Sequence, residues 1–389
     1  MWLDDFESEL AQWYDAPSEY LRMAGLFTAG AALAHRVYLY SPKRITTNLY
    51  VVMLGSPGSG KSTILLEGVS MLEKVIAGGD ILPVHASAEA LEKGIAKYAG
   101  EGGTHGLLVY DEFQSFIQHI RKEYASNVGN IVLERFQEGM TLITARTGDK
   151  GRVDKLTIPG TFLMSFAATD VPHRFAMSLK EADAMGGLLS RVLICEGGPK
   201  PKDFGGFPPP ANPDIVAWLT ESLRWLREKY YDATFQFEMD AKSYGLATIH
   251  KLRSRIRDSG NEFYISATAR IESYLKKLSL LYAALACRGD NTIYQEDVEK
   301  AVQILTASVD SLYLISEEFH LGEGHYAKAF IRIKRLLIER KSITRGSLLR
   351  MVAIKPKELD EIFESLHEQD LIRFEREGDE VYVIWEGQK

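Results

Sequence analysis

Apolar residues recur three or four apart at Phe6, Leu10 and Trp13, the spacing of one buried helix face. A second helix is predicted from Leu21 to Ala34, behind Ser18 and Glu19, which suit a capped start. Val37, Leu39 and then Leu49 to Leu54 read as short strands, the second leading straight into a glycine-rich loop. Helical spacing resumes over Leu65 to Val75 and Ala88 to Tyr98, with further buried strands expected at Ile81 to Val84 and Leu107 to Tyr110. Strands alternating with helices predict an α/β fold around a parallel sheet.

Between Thr144 and Ile158, β-prone flanks enclose the polar turn Thr147-Gly148-Asp149-Lys150-Gly151, which reads as a hairpin. Thr161 to Ala168 is then another buried strand. Six prolines between Pro199 and Pro213 mark a linker. Beyond it come helical patterns at Ile215 to Lys229, Ala241 to Arg257, Thr268 to Cys287 and Gln295 to Glu318, broken by the β-prone Thr234 to Phe237. The chain ends in helices Tyr326 to Arg340, Arg345 to Met351 and Lys357 to Gln369, then strands Ile372 to Phe374 and Val381 to Trp385 around Gly378-Asp379. Three helices and a terminal hairpin suggest a winged helix. The expected organisation is a helical segment 1–48, a sheet core 49–198, a linker 199–213, a helical domain 214–322 and a winged-helix domain 323–389.

Composition narrows the function classes. The chain has 389 residues, 46% hydrophobic and 25% charged, ordinary globular usage with enough length for more than one domain. No apolar run approaches a membrane span. Asp4, Asp5, Glu7 and Glu9 stand where a secretion signal would have a basic head, so a cytoplasmic protein is expected. Cys195 and Cys287 are too few for a disulfide framework or a zinc cluster, and the nine histidines show no paired ligand spacing. The net charge of −7 excludes a broad basic face for nucleic acid, so any such contact must be local.

Gly55-Ser56-Pro57-Gly58-Ser59-Gly60-Lys61-Ser62 fits GxxxxGK[ST], with Thr63 next. Glycines let the backbone curl with its N–H groups around phosphates, and the following helix adds its positive end. Lys61 is expected on the β and γ oxygens of ATP and Ser62 on Mg²⁺. Leu107 to Tyr110 is an apolar strand ending in Asp111 and Glu112. Asp111 would hold the metal through water and Glu112 would polarise the attacking water.

Gly187-Leu188-Leu189-Ser190-Arg191-Val192-Leu193-Ile194 resembles the arginine-finger segment of the minichromosome-maintenance helicases. Ser266 to Ser273 resembles their sensor 2 helix, and Gln295 to Ala301 the helix after it. Ala16-Pro17-Ser18 through Asn48-Leu49-Tyr50 is similar to a helicase-like family of phage and mobile-element proteins. The resemblance, over roughly residues 15 to 310, implies an AAA+ ATPase with a helical lid, hexameric, its sites completed by a neighbour's arginine. It puts Arg191 in the finger, Arg270 in sensor 2, and Thr169 or its rival Asp170 in sensor 1. It makes the hairpin a pore loop, where Lys150, Arg152 and Lys155 would grip DNA; a solvated charged turn is the alternative. Glu358, Asp360, Glu361 and Glu364 make the terminal recognition helix acidic, as suited to protein contact or ring capping as to DNA. Two functions stay open: a DNA helicase of a mobile or viral replicon, or a nucleotide switch serving as helicase loader or transposition regulator alongside replication or transposition proteins.

Overall fold

The computed structural model describes residues 1–40, 43–76, 82, 84, 86–122, 126–147, 153–179, 187–199, 211–319, 321, 325–352, 354–368, 371–377 and 380–387. Met1–Phe319 form one compact unit and His320–Lys389 a second. Among the described residues no helix is long and apolar enough to cross a membrane.

The first unit is an α/β fold. Its central sheet has four parallel strands in the order His105–Tyr110, Leu163–Asp170, Tyr50–Leu54, Leu193–Glu196. Tyr50–Leu54 and Leu163–Asp170 are buried along their whole length, which is why they are mostly apolar, with Ser165 the one polar residue before Thr169, rather than alternating. The register sets Leu54 opposite both Asp170 and Glu196, and Tyr110 opposite Ala168. The carboxyl ends of all four strands therefore meet at one edge. The strand expected at Ile81 to Val84 lies largely outside the described residues.

Several elements depart from the sequence pattern. Helices Phe113–Ile120, Ser126–Glu134 and Pro172–Ser178 were not expected, because each is too short to display a helical period. The β-prone Thr234 to Phe237 is not isolated: as Ala233–Phe237 it pairs in parallel with Val37–Tyr40 and with Thr292–Ile293, in a second sheet. Pro213 belongs to a helix, not to the linker. It opens Pro213–Lys229, where its missing N–H costs nothing, behind Asn212, whose side chain accepts from Asp214 N. The helix expected from Thr268 to Cys287 starts later, as Ile271–Ala286, and a separate short helix, Glu262–Ala267, precedes it. Thr268 Oγ1 donates back to the Tyr264 carbonyl at 2.7 Å, a bond that competes with the helix ladder, and Arg270 falls at the start of the second helix. The hairpin pairs Leu142–Thr147 with Val153–Ile158; its tip lies outside the described residues.

The second unit runs helix His325–Arg340, strand Ser342–Thr344, helices Arg345–Val352 and Pro356–Glu368, and strands Ile372–Glu377 and Glu380–Trp385. Glu380–Trp385 lies between the other two strands, antiparallel to both. Ile333, Leu337, Leu348, Leu359, Ile362, Leu366 and Val383 make its core.

One buried amine ties the helices after the linker to the sheet. Lys277, on Ile271–Ala286, is almost wholly buried. Its Nζ donates to Asn48 Oδ1 at 2.6 Å, Asn48 O at 3.0 Å, Thr46 O at 3.2 Å and Phe136 O at 3.3 Å. Asn48 in turn donates to the Met164 carbonyl at 2.6 Å. Burial pulls the Lys277 ammonium down to about 7, from about 10.4 in an unfolded chain. Between those values the unfolded chain holds the extra proton, so stability rises with pH from about 7 upward by about 1 kcal/mol per pH unit. Above about pH 8.5 the buried Cys195 thiol, pushed up by burial, opposes the gain. Chemical denaturation at pH 7 and pH 8.5 should show this rise, and Lys277→Met should abolish that difference while lowering stability at both. An equal rise in the variant would assign it to other groups.

Candidate functional site

The loop between strand Tyr50–Leu54 and helix Lys61–Val75 stands at the carboxyl edge of the sheet. Gly58 and Gly60 both take positive φ, +74° and +87°, which L side chains avoid. Open space lies where a Cβ of Gly58 would point. The loop thus curls toward the first N–H groups of the helix, which have no acceptor within it, and the positive helix end lies beneath. This is an anion cradle. Lys61 is buried, and its Nζ donates to the Ser56 carbonyl at 3.1 Å. Burial lowers its pKa, and the negative charges of Asp170 and Asp111 work against that shift.

Helix Ser18–Leu33 and the segment before it brace the loop and its flanking elements from outside. Tyr20 Oη donates to the Leu54 carbonyl at 2.6 Å, and Tyr14 Oη donates to Glu67 at 2.6 Å. A Cβ on Gly60 would stand 3.1 Å from that of Ala16, a tight contact that adds to the cost already set by its positive φ.

The neighbouring strands supply the polar groups. His105–Tyr110 delivers Asp111 and Glu112 directly after its last residue. Leu163–Asp170 delivers Thr169, whose hydroxyl lies 3.0 Å from Ser62 Oγ and donates to the Asp111 carbonyl. One hydroxyl thus ties the loop helix to the acid strand. Asp170 turns the other way. Its carboxylate accepts from Gln114 N and Val171 N, each at 2.8 Å, and so caps helix Phe113–Ile120 beyond the acids. Burial raises its pKa against those two bonds. Ser62, Thr63, Asp111, Glu112, Ser115 and Thr169 line a cleft of about 650 Å³.

Among the described residues no group of three His, Cys, Asp or Glu is placed to hold a metal ion. A divalent ion at this cleft would therefore rest on the Ser62 hydroxyl, the Asp111 carboxylate and oxygens of its ligand. Magnesium suits such a set, because it keeps few protein ligands and shares phosphate oxygens.

Arg174 is a site residue that the sequence pattern did not reveal. It sits on helix Pro172–Ser178, and its Nη1 donates to Glu112 Oε1 at 2.7 Å. Arg191 and Arg270 stand elsewhere. Arg191 closes a short turn at the amino end of strand Leu193–Glu196, and its carbonyl accepts from Tyr274 Oη, which also donates to Tyr50 O at 3.1 Å. Tyr50 is five residues before Gly55, or roughly 17 Å along a strand. Burial lowers the Arg191 guanidinium, and the charge of Arg270 lowers it further. Of the hairpin cations, Lys150 and Arg152 lie outside the described residues, and Lys155 is a strand residue opposite Ala145.

No protein-family model matches the chain, and no curated protein does either; geometry and chemistry carry the functional reading.

Asp170 is the test of this architecture that needs no ligand. Asp170→Ala removes the acceptor for Gln114 N at the start of helix Phe113–Ile120 and the acceptor for Val171 N just before helix Pro172–Ser178, and should cost about 1–2 kcal/mol. Urea unfolding should show a lower midpoint with an unchanged slope. An unchanged midpoint would mean that the two bonds contribute nothing to folding.

Proposed function

We propose that this protein is a P-loop ATPase of the AAA+ type that assembles into a ring, most simply a hexamer, and moves on DNA as a helicase of a mobile or viral replicon. The observation that carries the reading is one cleft lined by Ser62, Thr63, Asp111, Glu112 and Thr169, directly following the glycine loop and Lys61 in the chain. The loop from Gly55 to Thr63 would bind the phosphates through its backbone N–H groups, with Lys61 meeting the β and γ oxygens. Ser62 and Asp111 would hold magnesium, which would supply positive charge against that developing on the phosphates. Glu112 would accept a hydrogen bond from the attacking water and orient it in line with the γ-phosphorus. Thr169 keeps Ser62 and the acid strand at fixed separation.

Arg191 and Arg270 are too far along the strands to serve their own loop, so the reading gives them to the neighbouring subunit's nucleotide. A trans arginine is worth about 10³–10⁵ in rate where it has been measured. The hairpin Leu142–Ile158, with Lys150, Arg152 and Lys155, would line the ring's channel, where three cations repeat around one path and reconcile DNA contact with a net charge of −7. The second unit, three helices and an antiparallel sheet, fits a winged helix.

Glu112→Gln keeps the shape of the site but removes the carboxylate, so that variant should retain radiolabelled ATP through gel filtration and fail to separate a forked duplex that the parent unwinds. Rapid conversion to ADP would mean another base. A parent with DNA-stimulated ATPase and no strand separation would be a nucleotide switch, a loader or transposition regulator, instead of a motor.

Inactive Arg191→Ala mixed with inactive Lys61→Ala should regain part of the parental ATPase, because some interfaces then pair an intact loop with an intact arginine. If confirmed mixed oligomers regain none, Arg191 does not act across the interface.

A further inference from the structure

Glu112, the group given the task of orienting water, already holds a cation: Arg174 Nη1 donates to its Oε1 at 2.7 Å. A carboxylate oxygen engaged by a guanidinium is a weaker acceptor for water, so the pair opposes the role that the site otherwise assigns to Glu112. The two side chains are 54% and 45% exposed, and a pair that exposed contributes about 0–1 kcal/mol. It can be exchanged at little cost.

Position suggests what it exchanges for. Helix Pro172–Ser178 begins two residues after strand Leu163–Asp170 ends, so the strand that supplies Thr169 and Asp170 also delivers Arg174. Through its bond to Glu112, which lines the cleft, Arg174 stands at the rim of the site, in the same chain as the loop, and its charge acts on Lys61 and Asp170. A guanidinium fork matches a phosphate group with two parallel bonds, and a triphosphate carries more charge than one carboxylate.

We propose that Arg174 is a terminal-phosphate sensor in cis, resting on Glu112 in the nucleotide-free chain and passing to the γ-phosphate oxygens when a triphosphate fills the loop, which frees Glu112 for water. This rests on the reading of the cleft as an ATPase site. A diphosphate has no oxygen at that place, so Arg174 returns to Glu112 after hydrolysis. The chemistry is unchanged: the water oxygen bonds to the γ-phosphorus, the bridging bond to ADP breaks, and the water proton passes toward Glu112.

The test compares the full-length parent with Arg174→Ala and Arg174→Lys, measuring binding of ADP and of a non-hydrolysable ATP analogue by calorimetry, and ATPase by kcat and KM. The parent should bind the triphosphate analogue more tightly than ADP. Arg174→Ala should lose that preference by roughly 10- to 100-fold, the worth of a charge-assisted bond, with ADP affinity unchanged. Its kcat should fall by a similar factor, with the effect on KM smaller, and Arg174→Lys should recover part of both. Unchanged ADP affinity also reports that the variant is folded. Retained preference for the triphosphate analogue, or a kcat that rises because Glu112 has merely been released, would overturn the proposal. A parent that binds neither nucleotide would overturn the ATPase reading, and the sensor with it.

Discussion

Four parallel strands held in register must end together, and the rest of the site follows from that constraint. Leu54, Tyr110, Asp170 and Glu196 lie at or within two residues of one level. Every polar group of the cleft comes from the few residues beyond those ends: Gly55 to Thr63 after one strand, Asp111 and Glu112 after another, Thr169 and Asp170 at the close of a third. Ligands of open α/β sheets bind at this carboxyl edge, where loops leave in different directions and helix amino ends point inward. A slip of one residue in Leu163–Asp170 would turn Thr169 away from Ser62 and the Asp111 carbonyl. The Thr169 hydroxyl thus reports the register at its most sensitive place.

The same register separates the arginines. Arg174 follows a carboxyl end and reaches Glu112, whereas Arg191 precedes the amino end of Leu193–Glu196 and lies beside Tyr274 and Arg270. Lys277 keeps the helix that carries Tyr274 against the start of the central strand, through Asn48 and Phe136. Burying that amine is unfavourable for its charged form, and four oxygen acceptors offset the cost in a way no single surface pair could. The far edge of the sheet is therefore held as firmly as the cleft.

The loop and the two acids were legible in the sequence because their chemistry is local: an apolar strand, a fixed spacing of glycines, a lysine and a hydroxyl, or an apolar strand and two carboxylates. Thr169 was legible from its place at the end of a buried run, though not its bond to Ser62, which joins residues 107 positions apart. Asp170 was read as a rival for the same role, but its carboxylate caps a helix of eight residues, too short to show in the pattern. Arg174 had no signal. It is one of 46 basic residues, on a helix of seven, and only the folded chain brings it to Glu112. The brace from Tyr14, Ala16 and Tyr20 was hidden for the same reason, since aromatic residues at helical spacing look like ordinary core. Val37–Tyr40 and Ala233–Phe237 were each visible as β-prone runs, but their pairing closes a loop of nearly two hundred residues, and no local pattern encodes that.

Charge at the cleft gives the reason for reading the site as incomplete within one chain. Lys61 and Arg174 bring two cations there and Asp111 and Glu112 two carboxylates, so the side chains alone roughly balance. A triphosphate with its magnesium is still anionic, and the helix amino end supplies only about half a unit of positive charge. Charge that develops on the γ-phosphate during hydrolysis needs donors already in place, in a setting with little water to reorganise. Arg191 and Arg270 are the cations proposed for that task, near each other at an edge roughly 17 Å from their own loop. Two arginines held near each other repel, and burial makes that repulsion costly. An anionic group on a second copy would relieve it, which is the physical ground for the proposed assembly around a bound nucleotide.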